Sequence, residues 1–190
     1  MNKFKYLGVT ISEEGGSEEA VRARVSAAWG KWRDISGVIS DKNMPRKLKI
    51  KLYLTVIRPV LLYGAECWTI RKKEEKILEK TEMRMLRRIK GVTLRDRIKS
   101  VDIRKELGVS SIQEKVREMR LRWYGHMQRM EENEVRAVGV MRVPGKRPRG
   151  RPRARWMDGV RRDMQALRIT PEDAQDRTFW KSRIRAADPT

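Results

Sequence analysis

The residues best suited to chemistry are cations, and they concentrate in one run: Gly145-Lys146-Arg147-Pro148-Arg149-Gly150-Arg151-Pro152-Arg153-Ala154-Arg155. Six of these side chains are cationic, none is acidic, and two prolines and two glycines are interleaved. Proline fixes φ and removes an N–H, and interior glycine weakens a helix. The run is therefore predicted to be an extended arm, neither helix nor central strand, with its cations splayed into water. Such an arm buries nothing, so the fold does not require it, but it suits a polyanion. The central Pro148-Arg149-Gly150-Arg151-Pro152 has the shape for a narrow minor groove. Gly150 lets the backbone approach the groove floor, and the flanking arginines lie along it, where A·T-rich DNA concentrates negative potential. The competing account is a solvated basic linker.

Little else points to catalysis. No two aspartates are adjacent, so the carboxylate pair of a two-metal site cannot be built locally. There is no glycine-rich phosphate loop followed by Lys-Ser or Lys-Thr, and no Gly-x-Ser-x-Gly elbow. His126 is the sole imidazole; a general base is possible there, but its place beside an apolar stripe reads as packing or backbone bonding. Cys67, the sole cysteine, sits in an apolar, aromatic run and reads as core. One Cys and one His cannot make a Cys/His zinc site. No catalytic residue, bound metal or cofactor is expected in this chain.

At 190 residues the chain suits one domain or two small ones. Hydrophobic residues are 39% and charged residues 37%, which permits a core but leaves much helix surface wet. A net charge of +21 disfavours compaction unless an anionic partner offsets it. Nucleic acid is the default partner. A membrane is not, because no stretch reaches the ~18 apolar residues of a spanning helix. The start shows no secretory signal, and a lone cysteine fits a reducing compartment, so an intracellular location, nucleus or cytoplasm, is expected.

The elements that would carry these cations are mostly helical. Residues 1–16 read as a short strand pair, with a face switch like a bulge at Leu7-Gly8. Ser17 is placed to cap a helix holding Val21, Val25, Ala28, Trp29 and Trp32. The apolar segment from Met44 to Trp68 is predicted to bury Leu48, Leu52, Val56, Val60 and Tyr63, with a kink at Pro59. Residues 72–90 form a helix ending at Gly91, with Arg84, Arg87 and Arg88 crowded into its last turns. A short helix stops at Gly108. Ser111 and Glu114 make a capping box for a long helix through Met130 that carries Arg120 and Arg122 off its apolar stripe. A weak helical or extended piece, Val135 to Met141, precedes the arm. Trp156, Val160, Met164 and Leu167 form a further stripe, and Thr170-Pro171-Glu172-Asp173 is read as the start of the last helix, with the final few residues expected to fray. The units expected are thus strands 1–16, a helical bundle 17–92, a helical region 93–141, the arm 142–155 and a helix pair 156–190. Trp29, Trp32, Trp123, Trp156 and Trp180, on these stripes, read as core rather than as stacking platforms.

Two resemblances follow from these residues. Pro148-Arg149-Gly150-Arg151-Pro152 resembles the core of the AT-hook motif. Over nearly its whole length, the chain resembles the C-terminal third of the reverse transcriptase of non-LTR (LINE-type) retrotransposons, nearest to the RTE group. The residues that carry this are Phe4-Lys5-Tyr6-Leu7-Gly8, Leu62-Tyr63-Gly64-Ala65-Glu66-Cys67-Trp68, and Gly125-His126 with Arg129 in the run Arg120 to Arg129. To them add Gly145 to Trp156 with Asp158, and Asp176-Arg177 with Trp180. The resemblance implies a palm remnant at 1–16, a helical thumb at 17–92 and a nucleic-acid-binding C-terminal region. It implies a chain that grips template RNA, primer or target DNA through Lys146, Arg147, Arg149, Gly150, Arg151, Arg153, Arg155, Arg84, Arg87, Arg88, Arg120 and Arg122. The catalytic aspartates and their magnesium would belong to an upstream palm, so this chain would bind without polymerising. The alternative is a free-standing DNA-binding chromatin protein of the AT-hook type.

Overall fold

The computed structural model describes residues 3–6 and 9–12 as backbone, and residues 17–130 and 155–188 in full. From Ser17 onward the described chain is helical. Helix α1, Glu18–Asp34, has Glu18 and Glu19 in its first turn and Lys31 and Arg33 in its last, matching the helix dipole. Ser17 does not cap it: its hydroxyl donates to the Thr69 carbonyl at 2.8 Å, fastening the start of α1 to a distant segment. A single turn, α2 (Ser36–Ile39), leads to α3, Arg46–Leu52.

The chain passes from α3 through a π turn, Tyr53–Ile57, into α4, Arg58–Leu61. Pro59 has no N–H to give the preceding turn, and the wider π turn absorbs the irregularity where a kink was expected. The buried face is Ile50, Tyr53, Ile57 and Leu61, whereas Leu48 and Tyr63 are about half exposed at 47% and 50%. This corrects the inward stripe inferred from spacing. The segment is apolar on two faces, so periodicity alone does not choose between them. Gly64 then turns the chain at φ +79°, a left-handed conformation that favours glycine, into a 3₁₀ turn at Ala65–Cys67.

Helix α5, Lys72–Lys90, buries Leu78, Met85, Leu86 and Ile89 and ends at Gly91, φ +79°. Helix α6, Ser100–Leu107, stops at Gly108. Helix α7, Ile112–Arg129, opens with the capping box: the Ser111 amide donates to Glu114 at 2.9 Å, and the Glu114 amide to the Ser111 hydroxyl at 3.2 Å. One carboxylate knits these helices together. Glu82 of α5 is fully buried and accepts from the Tyr53 hydroxyl (3.2 Å), the Arg104 guanidinium (3.0 Å) and the Ile112 amide (3.2 Å). Burial pushes its carboxyl up, and Arg104 pulls it part of the way back.

Two helices complete the described chain, α8 (Trp156–Leu167) and α9 (Arg177–Ile184). Thr170 to Asp173 does not start α9. It leads into a 3₁₀ turn at Glu172–Ala174, and Asp176 caps α9 by accepting from the Thr178 and Phe179 amides, each at 2.9 Å. Residues 185–188, after α9, are held in place, and the last two residues lie outside the described ones. Asp188 accepts from Arg58 at 2.8 Å and from the Ser110 hydroxyl at 2.6 Å, so the tail is tied to α4 and to the approach to α7.

The core falls into two clusters. The larger gathers side chains from α1, the π turn, α4, α5, α6 and the first turns of α7. The smaller joins Leu121, Tyr124 and Met127 of α7 to Val160 and Met164 of α8 and to Trp180 and Ile184 of α9. Helix α7 is therefore covered on two sides.

The fold class expected from the sequence needs correcting in its β part. From Ser17 onward the described residues form helices and turns and include no strand or sheet layer. Lys3–Tyr6 and Val9–Ser12 run antiparallel to each other, with Phe4 opposite Ile11. Two four-residue segments with both outer edges unpaired do not make a layer of a fold. The bulge expected at Leu7-Gly8 lies outside the described residues, as does the piece from Val135 to Met141.

Candidate nucleic-acid interface

Three of the expected phosphate ligands gather on the last turns of α5. Arg84 and Arg88 are exposed, and their guanidinium carbons lie 5.5 and 5.2 Å from the centre of the Trp29 ring. These cation–π contacts hold two charged heads against α1 without neutralising them. Arg87 is half-buried, 3.5 Å from the Ser100 hydroxyl.

Beside them opens a cleft of about 680 Å³ between the C-terminal ends of α1 and α5 and the start of α3. Lys42, Arg46, Lys49, Arg88 and Lys90 line it, and no carboxylate does. Arg46 (2.7 Å) and Lys90 both reach Glu106, whose carboxyl Lys90 chiefly holds below the usual range. Lys42 and Lys49 have no ion-pair partner among the described residues. Helix dipoles favour cations at the C-terminal ends of α5 and α3, which accounts for Arg87, Arg88, Lys90 and Lys49 but not for Lys42. Neither Lys42 nor Lys49 was among the phosphate ligands expected from the sequence. The only hint was that Lys47, Lys49 and Lys51 stand together on α3.

Arg120 and Arg122 part company. Arg120 is 6% exposed and pairs with Asp163 of α8 at 2.6 Å, so it fastens α7 to α8 and does not face solvent. Burial raises the Asp163 carboxyl, and Arg120 is the foremost group opposing that rise. The Nε of Arg120 has no hydrogen-bond partner among the described residues. Arg122 is exposed and pairs with Glu118. It lies on a second groove, of about 1070 Å³, between α7 and α9, where Arg129, Arg177, Lys181 and Arg185 join it. Arg155 is exposed at the start of α8. Lys146, Arg147, Arg149, Gly150, Arg151 and Arg153 lie outside the described residues.

The groups weighed for catalysis settle differently from the sequence reading. His126 is exposed on the second groove, its ring centre 5.5 Å from that of Trp123, rather than in the core. Cys67 is exposed rather than core, while partial burial of its sulfur and the nearby Glu66 hold the thiol above its usual range. Trp32, Trp68 and Trp180 are buried; Trp29, Trp123 and Trp156 are half-buried. The Trp156 indole donates to the Glu66 carbonyl at 2.7 Å, joining two of the segments that carry the retrotransposon resemblance. Among the described residues no three His, Cys, Asp or Glu side chains group as metal ligands, and no helix is long and apolar enough to cross a membrane.

No family model matches the chain, and no solved structure matches it. Over 198 aligned residues it is 29% identical to a protein of Caenorhabditis elegans described as transposon-derived and uncharacterized; the alignment spans 97% of this chain and 71% of the relative. That similarity supports a transposon-related origin for the chain.

Proposed function

We propose that this chain is the thumb and C-terminal part of a non-LTR, LINE-type reverse transcriptase of the RTE group. Its role is to hold template RNA, primer or target DNA by the backbone phosphates, inside the cell. Polymerisation and its magnesium are assigned to a palm outside this chain, which itself supplies no catalytic group. The observation that carries the reading is the cleft between α1, α3 and α5, where five cations converge, two of them sharing Glu106, and no carboxylate lines the wall itself. A solvated helix face would intersperse acids, and a catalytic cleft would hold titratable groups of both signs.

The test is binding of labelled oligonucleotides to the wild type and to the double variant Lys49→Glu, Arg88→Glu. Affinity is expected to drop about tenfold or more, and the slope of log K against log salt to flatten by about 2. An unchanged affinity and slope would exclude the cleft. The same assay separates the chromatin alternative: a preference for A·T-rich duplex over RNA, lost in Arg149→Ala or Arg151→Ala, would favour an AT-hook protein.

A further inference from the structure

The groove between α7 and α9 holds something that phosphate binding does not use. Trp123 lines it, half-buried and packed against the smaller core, with the His126 ring tilted at 42° beside it. The indoles of Trp156 and Trp180 donate to backbone carbonyls, whereas the Trp123 indole makes no hydrogen bond among the described residues. The charges around it are unequal. Arg177, Lys181 and Arg185 have no ion-pair partner among the described residues. The two carboxylates in the lining are Glu66 and Glu118, and Glu118 is 6% exposed and committed to Lys115, Arg122 and the Ala186 amide. An aromatic pair thus sits in a cationic groove with its N–H unspent.

In a duplex the base faces are covered by their neighbours, and a ring at the bottom of a groove cannot reach them. An unpaired strand presents those faces, and a tryptophan is a sequence-tolerant platform for them. We infer that this groove binds single-stranded nucleic acid by stacking an unpaired base on Trp123. His126 buttresses the indole, and Arg177, Lys181 and Arg185 hold the adjoining phosphates. The inference rests on the nucleic-acid reading above and deepens it by naming the state of the strand and the group that reads it.

The full chain is titrated with labelled oligouridylate, with the same strand carrying abasic riboses, and with a duplex, as the wild type, Trp123→Ala and Trp123→Phe. Thermal melting of each variant reports folding separately. Removing the bases is expected to weaken wild-type binding by about 5- to 150-fold for each stacked base. Trp123→Ala should lose most of that sensitivity, Trp123→Phe should keep most of it, and duplex affinity should not move in either. If the wild type binds the abasic strand as tightly as the normal one, or if both variants weaken duplex and single strand alike, stacking is refuted while phosphate binding stands. If no strand binds at all, both readings fall. Should Trp123→Ala not fold, the abasic comparison on the wild type and on Trp123→Phe decides.

Discussion

Gly125 lies under the indole of Trp180. A Cβ at that position would come within 2.4 Å of the Trp180 Nε1 and 2.7 Å of its Cδ1. The same Nε1 donates to the Leu121 carbonyl at 3.0 Å, one turn back on α7. The glycine therefore serves close approach, letting α9 seat its largest side chain on the backbone of α7. Gly125→Ala is expected to destabilise the protein by about 1–3 kcal/mol through overpacking, read as a lower midpoint in chemical denaturation; an unchanged midpoint would contradict this packing. Single residues were also where sequence reasoning was weakest. Arg120 and Arg122 are two positions apart and of one type, yet one is buried against Asp163 and the other faces a groove. The partner that decides this lies 43 residues further along the chain. Trp29 and Trp123 were misjudged as core for the same reason: both are half-buried, and only neighbours from other helices decide how far each is covered.

At the scale of elements, local chemistry was legible and long-range chemistry was not. The Ser111 and Glu114 capping box and the stops at Gly91 and Gly108 are written in a few neighbouring residues, and the structure shows each of them. The docking of the tail was not legible, because Asp188 finds Arg58 130 residues away. That contact makes a pH-dependent prediction. Burial alone would raise the Asp188 carboxyl, but the hydrogen bonds from Arg58 and Ser110 outweigh it and hold the group well below its ordinary 3.8. A carboxylate depressed in the folded state stabilises the fold above its unfolded pKa, and that stability is lost as pH falls toward the folded value. Asp188→Asn should therefore lower the denaturation midpoint at pH 7, and the gap from wild type should shrink as the pH is taken below about 4. A gap that stays constant across this range would show that Asp188 acts only by shape.

For the whole molecule, the governing quantity is the imbalance of 46 cations against 25 acids. The fold consumes part of it: Asp163, Glu82, Glu106 and Asp188 each answer buried or converging cations. Part of what remains lines two openings, the cleft by α3 and α5 and the groove between α7 and α9, while other cations, among them Lys76, Lys80, Arg95 and Arg97, are exposed elsewhere on the described surface. The excess charge was plain in the sequence; its division between internal ion pairs and open clefts was not, since that depends on which helices meet. The most direct test of the account is the affinity of the full chain for an oligonucleotide measured across a salt series. If the clefts grip phosphates, log K falls linearly with log salt with a slope of about −4 or steeper. A slope near zero would contradict the account, because cations already neutralised within the fold have no counterions to release from nucleic acid.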